Sequence, residues 1–82
     1  MKNQLRMYLV EAREKLGYSQ YRVALNANMT HQHYNMIENG KVNKNVSFRA
    51  LVSIGAALKI PFNELIELEF NYQKVSGGLE AE

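Results

Sequence analysis

Apolar residues recur at intervals of three and four along most of the chain, a pattern typical of amphipathic helices. The first apolar stripe spans roughly residues 3–16 and consists of Leu5, Tyr8, Leu9, Ala12 and Leu16. Gly17 follows the last of these positions, and glycine is common just past a helix end because it adopts a left-handed backbone without strain. The pattern therefore predicts a first helix over residues 3–16.

A second, shorter helix is predicted over about residues 20–27. Ser19 precedes it and can accept a hydrogen bond from a free backbone N–H of its first turn. Its apolar positions fall on one side, at Val23, Ala24 and Ala27. Asn28, which tolerates positive φ better than most residues, marks its end.

A third helix is predicted over residues 31–39. Thr30 can cap its first turn, and two apolar side chains, Tyr34 and Ile37, share its inner face. The polar stretch that follows, residues 41–46, is rich in Asn and Lys and is typical of an exposed loop.

Two further helices are predicted in the second half of the chain. Ser47 can cap the fourth, whose predicted buried stripe consists of Phe48, Leu51, Val52, Ile54 and Leu58. Gly55 lets a neighbouring element approach this helix closely. Pro61 suits the first position of the fifth, which directs Phe62, Leu65 and Ile66 inward. Because no run of alternating β-branched residues competes, the predicted fold class is all-α.

The composition is that of one small folded domain. The chain has 82 residues, of which 46% are hydrophobic and 22% charged, and it contains no cysteine. Disulfides and thiolate metal sites are therefore excluded. The longest uncharged apolar stretch, residues 50–58, is far too short to span a membrane, and no secretory leader pattern opens the chain. We expect a cytoplasmic protein without a membrane partner.

The charge is distributed unevenly on either side of the single proline. Residues 1–59 carry nine basic and three acidic residues, a balance of +6, whereas residues 60–82 carry one basic and five acidic residues, a balance of −4. This asymmetry indicates a first section that meets a polyanion, although a short chain can also acquire it by chance.

The two helices predicted over 20–27 and 31–39 are joined by a turn of about three residues. A turn this short forces the helices to cross steeply, which produces the helix-turn-helix unit. The second helix of such a unit projects from the domain and can enter the major groove of DNA, while the first crosses the backbone.

The ordered set of residues in these helices resembles the Xre-type helix-turn-helix domains of the phage lambda and 434 repressors and Cro proteins. The matching positions are Leu9, Ala12, Arg13, the runs 17–20, 23–24, 29–30 and 37–41, and then Leu51, Ile54, 57–58, Ile60 and 64–66. The resemblance covers about residues 5–67 and implies a compact five-helix, lambda-repressor-like domain. We accordingly divide the chain into a DNA-binding domain, residues 1–67, and a C-terminal extension of the last helix with a mobile acidic tail, residues 68–82.

The resemblance implies a set of contacts to the DNA backbone. Gln20, first in its helix, matches a position that contacts phosphate, and the Thr30 hydroxyl can contact phosphate in addition to its capping role. Asn39, Lys41 and Lys44 lie at the exit of the third helix, where the family contacts phosphate. The loop after Gly40 is about two residues longer than is common in the family.

The resemblance also implies which side chains read bases. His31, Gln32 and Met36 match the base-reading positions on the outward face of the third helix. Gln can bind adenine through two hydrogen bonds, and Met suits a thymine methyl group. His33 and Asn35 flank that face and are either groove contacts or solvent-exposed residues.

The two histidines do not predict a metal site. His31 and His33 are two positions apart and point to roughly opposite sides of a helix, and no cysteine or acidic cluster accompanies them. We expect no metal and no cofactor.

The family places an ion pair between its first helix and the end of its third. Arg13 and Glu38 occupy those positions here, so the resemblance implies a structural pair that holds the reading helix in place. Breaking one side of such a buried pair is strongly destabilising.

The function predicted from this reading is sequence-specific binding of double-stranded DNA by a transcriptional repressor that acts as a homodimer on an inverted repeat. The predicted dimer surface is the fifth helix and its extension, through Leu65, Leu68, Phe70 and Tyr72. The alternative is a protein-interaction module, such as an antitoxin or an antirepressor-like protein, with secondary DNA binding. An enzyme is not expected, because the chain has no Asp, no Cys and no glycine-rich phosphate loop.

Overall fold

The computed structural model describes residues 4–42 and 46–76, and within these ranges the chain forms five helices and no strand. They are α1 (Met7–Lys15), α2 (Gln20–Asn26), α3 (His31–Glu38), α4 (Phe48–Leu58) and α5 (Phe62–Ser76). The predicted all-α class is confirmed, and α2 and α3 form the predicted helix-turn-helix. None of the helices in these ranges is long and apolar enough to cross a membrane.

Local hydrogen bonds set the starts of three helices. The hydroxyl oxygens of Ser19, Thr30 and Ser47 each accept a backbone N–H three residues further on, at 3.0 Å. Asn28 adopts a φ of 59°, so the left-handed turn between α2 and α3 is confirmed. These caps satisfy N–H groups that a helix cannot pair internally.

The start of α1 was predicted four residues too early. The Arg6 backbone N–H donates to the Glu38 carbonyl at 2.8 Å, which draws the preceding residues onto the end of α3. Gly40, at a φ of 80°, lies beneath the Gln4 backbone, where a Cβ would collide with the Gln4 carbonyl. Leu5 is consequently exposed instead of lying on a helical stripe.

The core lies where α1, α2, α3 and α4 meet. Its buried side chains are Leu9, Val23, Ala24, Ala27, Tyr34, Ile37, Ala50, Ile54, Ala57 and Leu58. α5 packs against α4 where Gly55 leaves room for Leu65, because a Cβ at Gly55 would approach the Leu65 Cδ2 to 2.7 Å. The close approach predicted at Gly55 is confirmed.

Four side chains predicted to be buried are exposed: Phe48, Val52, Phe62 and Ile66. In α4 the predicted positions Leu51, Ile54 and Leu58 are buried, which confirms that part of the stripe. Ala50 and Ala57 complete the buried face in place of Phe48 and Val52. Phe62 is the first residue of α5, since Pro61 precedes the helix and its carbonyl accepts the Leu65 N–H at 2.9 Å.

α5 continues without interruption past the predicted domain boundary at residue 67. Leu65, Glu69 and Tyr72 are buried, and the Tyr72 hydroxyl donates to the Gln4 carbonyl at 2.7 Å. Leu65 and Tyr72, two of the four residues predicted for the dimer surface, thus pack inside the domain and present little surface to a partner. Of that set, Leu68 is half-buried and Phe70 exposed. Residues 77–82 of the predicted mobile tail lie outside the described residues.

Candidate nucleic-acid interface

The third helix has one buried and one exposed face. Tyr34, Ile37 and Glu38 are buried beneath it. The outward face carries His31, Gln32 and His33, which are exposed, and Met36, which is half-buried. A polar, solvent-facing surface on the second helix of a helix-turn-helix is the part that can reach base edges.

The first residue of this outward face touches α2. The rings of Tyr21 and His31 meet edge to face, with centroids 6.0 Å apart and planes at 82°. Tyr21 is itself exposed, so the two rings stand together at the surface where α3 begins. Edge-to-face contacts of this kind favour one relative orientation of two rings.

A cluster of four side chains, the Glu38 cluster (Arg13, Gln20, Tyr34 and Glu38), fixes α3 from below. Arg13 Nε and Nη2 donate to the two Glu38 carboxylate oxygens, each at 2.9 Å. The Tyr34 hydroxyl donates to Oε1 at 2.7 Å, and Gln20 Nε2 donates to Oε2 at 2.8 Å. One carboxylate thus joins side chains from α1, α2 and α3.

The environment of Glu38 keeps it ionised. Burial by itself raises the pKa of Glu38, but the hydrogen bonds from Arg13, Tyr34 and Gln20 outweigh burial and leave the pKa below its usual value. The pKa of Tyr34 is raised, first by its burial and then by its hydrogen bond to Glu38. Charge-assisted, bidentate bonds of this type are stronger and more directional than neutral ones.

A chain of amide side chains runs outward from this cluster. Gln20 Oε1 accepts Asn35 Nδ2 at 2.8 Å, and Asn35 Oδ1 accepts Asn39 Nδ2 at 3.1 Å. All three amides were predicted to contact DNA, and all three are half-buried and bonded to one another. Each –NH2 has a second hydrogen, so donation to DNA stays compatible with these bonds.

Two of the remaining predicted phosphate contacts, Thr30 and Lys41, lie at the ends of α3. Thr30 is exposed and caps the helix through its hydroxyl. Lys41 is exposed at the other end, where its backbone N–H donates to the Met36 carbonyl at 2.9 Å. Lys44 lies outside the described residues.

A second cluster, which the sequence interpretation missed, lies between α1 and α5. In this Glu69 cluster (Arg6, Tyr8, Glu69 and Gln73), Arg6 Nε and Nη2 donate to the two Glu69 oxygens at 2.9 and 2.8 Å. The Tyr8 hydroxyl donates to Oε1 at 2.6 Å, and Gln73 Nε2 donates to Oε2 at 2.8 Å. Burial raises the pKa of Glu69, but these hydrogen bonds outweigh it and lower the pKa overall.

Arg6 also reaches the exit of α3. Its Nη1 donates to the Ile37 carbonyl at 2.8 Å and to the Val42 carbonyl at 2.6 Å, and its guanidinium lies 4.4 Å from the centre of the Tyr72 ring. A signal for this site existed in the sequence. Arg6 lies three positions before Leu9, and Glu69 four positions after Leu65, so each charge falls on an apolar stripe.

Comparison with known proteins gives one result. A family model described as helix-turn-helix matches residues 9–65, more than two thirds of the chain. The matched range begins in α1 and ends in the first turn of α5, so it includes the whole exposed face of α3. No curated protein and no solved structure gives a match.

Proposed function

Because the chain belongs to the Xre and lambda-repressor type of the helix-turn-helix family, a family of DNA-binding transcription regulators, we propose that it is a sequence-specific repressor that binds as a homodimer. The observation that carries this proposal is the exposed polar face of α3, which stands over the Glu38 cluster. A reading helix must project from a rigid support, because misplacement of a few side chains removes their base contacts.

On DNA, α3 lies in the major groove with its outward face toward the bases. Gln32 forms two hydrogen bonds with an adenine, Met36 contacts a thymine methyl group, and His31 reads a neighbouring base. Thr30 and Lys41 contact phosphates at the two ends of α3 and fix the register without reading sequence. Gln20 and Asn39 add donors through the free hydrogens of their amides.

The small DNA-contacting face of α3 favours binding as a homodimer. One α3 presents a few side chains to the groove, and each good base contact discriminates by only about 1–3 kcal/mol. Two copies on an inverted repeat double the contacts, with half-sites about 34 Å apart. Repression follows from occupying DNA that polymerase would otherwise enter.

In vitro selection of bound duplexes tests this function, followed by affinity measurements on the selected site. Gln32→Ala is expected to relax the preference at one position of each half-site, at a cost of about 1–3 kcal/mol. Lys41→Ala, the matched control, is expected to weaken all sequences alike and to reduce the slope of log affinity against log salt by about one.

Two outcomes would overturn the proposal. Selection that enriches no sequence would contradict specific recognition, and binding that ignores salt would contradict phosphate contacts. Either result would favour the protein-interaction module, for which DNA binding is secondary.

A further inference from the structure

Four exposed apolar side chains form one ridge at the starts of α4 and α5. We call Phe48, Val52, Phe62 and Ile66 the aromatic ridge. Within each helix the two members are four positions apart and therefore share a face. The Phe48 and Phe62 rings meet edge to face across the two helices, with centroids 5.6 Å apart and planes at 74°. The four side chains are thus one continuous surface.

The ridge is not a by-product of the core. Phe48 is 66% exposed and Phe62 is 48% exposed, while smaller residues such as Ala50 occupy the core-facing side of α4. Together the four side chains present on the order of 300 Å² of apolar area, which is the size of the largest patch on a typical monomer. Such patches commonly mark interaction sites.

Beside the ridge lies a shallow apolar hollow. It has a volume of about 200 Å³ and is lined by Val52, Gly55, Ala56, Ile60, Phe62 and Leu65. Gly55 and Ala56 have little or no side chain, which keeps the hollow open. A projecting aromatic ring and a hollow that can receive one therefore lie side by side on the same face.

This pairing of shapes favours a second copy of the chain as the occupant. Across a two-fold axis, a surface that carries both a projection and a matching hollow fits a second copy of itself, because each copy supplies what the other lacks. An apolar centre of this area is also suited to an interface of about 800 Å² on each side, whose rim is polar.

We propose that the aromatic ridge is the self-association surface of this protein, where Phe48 of each copy enters the hollow of the other. Phe70, the exposed aromatic predicted from the sequence to form the dimer, is a weaker centre. Lys74 Nζ lies 5.1 Å from the centre of its ring, and within residues 4–42 and 46–76 no second aromatic ring contacts it. Binding of this dimer to an inverted repeat rests on the proposed function, whereas dimer formation through the ridge does not.

The test is sedimentation velocity of the full chain without DNA, over a series of concentrations. Phe62→Glu is expected to raise the dimer dissociation constant by about 30-fold or more, since it removes a central aromatic from the interface. Phe62 is the first residue of α5, where an added carboxylate is compatible with the helix dipole, so the fold is expected to persist. Phe48→Ser is expected to have a similar effect from the other helix.

Phe70→Glu is the matched control, because Phe70 lies on the same helix and its exposure of 52% is close to that of Phe62. It is expected to leave the dissociation constant within about 3-fold of the wild type. The proposal is overturned if the wild type stays monomeric at concentrations on the order of 1 mM. It is equally overturned if both ridge variants associate like the wild type, or if Phe70→Glu alone dissociates the dimer.

Binding to a duplex with a single half-site separates this proposal from the proposed function. Ridge variants that keep half-site affinity but lose the tighter binding to the inverted repeat support both. A wild type that binds no duplex overturns the proposed function, and the sedimentation result still decides the role of the ridge.

Discussion

The Glu38 and Glu69 clusters are built to the same plan in two parts of the molecule. In each, an arginine near the start of the chain, Arg13 or Arg6, donates two hydrogen bonds to the glutamate. A tyrosine hydroxyl then donates to the glutamate Oε1, and a glutamine amide donates to Oε2. In each, the glutamate ends with all its strong acceptor sites occupied, as a buried carboxylate requires.

The clusters differ in burial and in what they connect. The Arg13 side chain is 17% exposed, whereas the Arg6 side chain is fully buried. The Glu38 cluster joins the helices on either side of the turn to α1, while Arg6 joins α5 to the backbone at the end of α3. Both clusters therefore support the C-terminal end of α3, but the arginine is the more buried partner in the Glu69 cluster and the glutamate in the Glu38 cluster.

Replacing the arginines is expected to give the largest difference in stability between the two clusters. Arg6→Met is expected to destabilise the fold by about 3–5 kcal/mol, because it leaves the buried Glu69 carboxylate without its cationic partner and removes a donor from two backbone carbonyls. Arg13→Met is expected to cost less, because water can reach the partly exposed site. Thermal unfolding followed by circular dichroism measures both, and about 4–8 °C is expected per kcal/mol. Arg22→Met, at an exposed position, is the control, and equal losses at Arg6 and Arg13 would contradict the comparison.

Lowering the pH is expected to remove the stabilisation that both clusters provide, over the same pH range. The pKa values of Glu38 and Glu69 lie below their usual value in the folded protein, so the unfolded chain binds protons more readily. The stability they provide is therefore present above about pH 4.5 and is lost as the pH falls through the folded pKa values. Denaturant unfolding between about pH 6 and pH 3 measures this loss.

Glu69→Gln sharpens that experiment, because an uncharged amide cannot contribute to the acid-dependent loss. The variant is expected to be less stable at neutral pH and to show a flatter pH profile than the wild type. If the stability of the variant depended on pH as steeply as that of the wild type, Glu69 would not contribute to the acid transition, and Glu38 would account for it.

Removing the tyrosine hydroxyls of the two clusters is expected to give the smallest difference in stability. Tyr34→Phe and Tyr8→Phe each remove one bond to a carboxylate and are expected to cost about 1–2 kcal/mol. The larger loss is expected at Tyr34, whose side chain is fully buried, and the smaller at Tyr8, which is half-buried. Equilibrium unfolding in urea measures both, and the reverse order would show that exposure does not govern these bonds. Tyr18→Phe, at a half-buried tyrosine outside both clusters, is the control.

The sequence predicts those parts of the fold that local chemistry determines. Ser19, Thr30 and Ser47 cap helices through neighbours three residues away, and Asn28 adopts the backbone that its side chain tolerates. These features need no knowledge of distant residues. The family resemblance added the Arg13 and Glu38 positions, which periodicity alone would not have joined.

The rest depends on contacts between distant parts of the chain. Arg6 and Glu69 are 63 positions apart, and nothing local marks them as partners. Four apolar residues at helical spacing were predicted to face inward, yet Phe48 and Phe62 form a surface instead. Hydrophobic periodicity shows that a face is apolar, but it does not show whether the same chain or another copy covers it.

The hydrogen bonds of Arg6 to both α3 and α5 also affect how the folded protein unfolds locally. Since one guanidinium bonds Glu69 of α5 and the Ile37 carbonyl of α3, detaching the carboxyl half of α5 takes the Glu69 carboxylate away from a cation at the exit of α3, and we expect the two regions to open together. Hydrogen exchange at the protected amides around Glu69 and around Glu38 should then proceed through one shared opening, with a common protection factor, instead of by independent fraying of the last helix. α3 and α5 would then behave as a single cooperative unit.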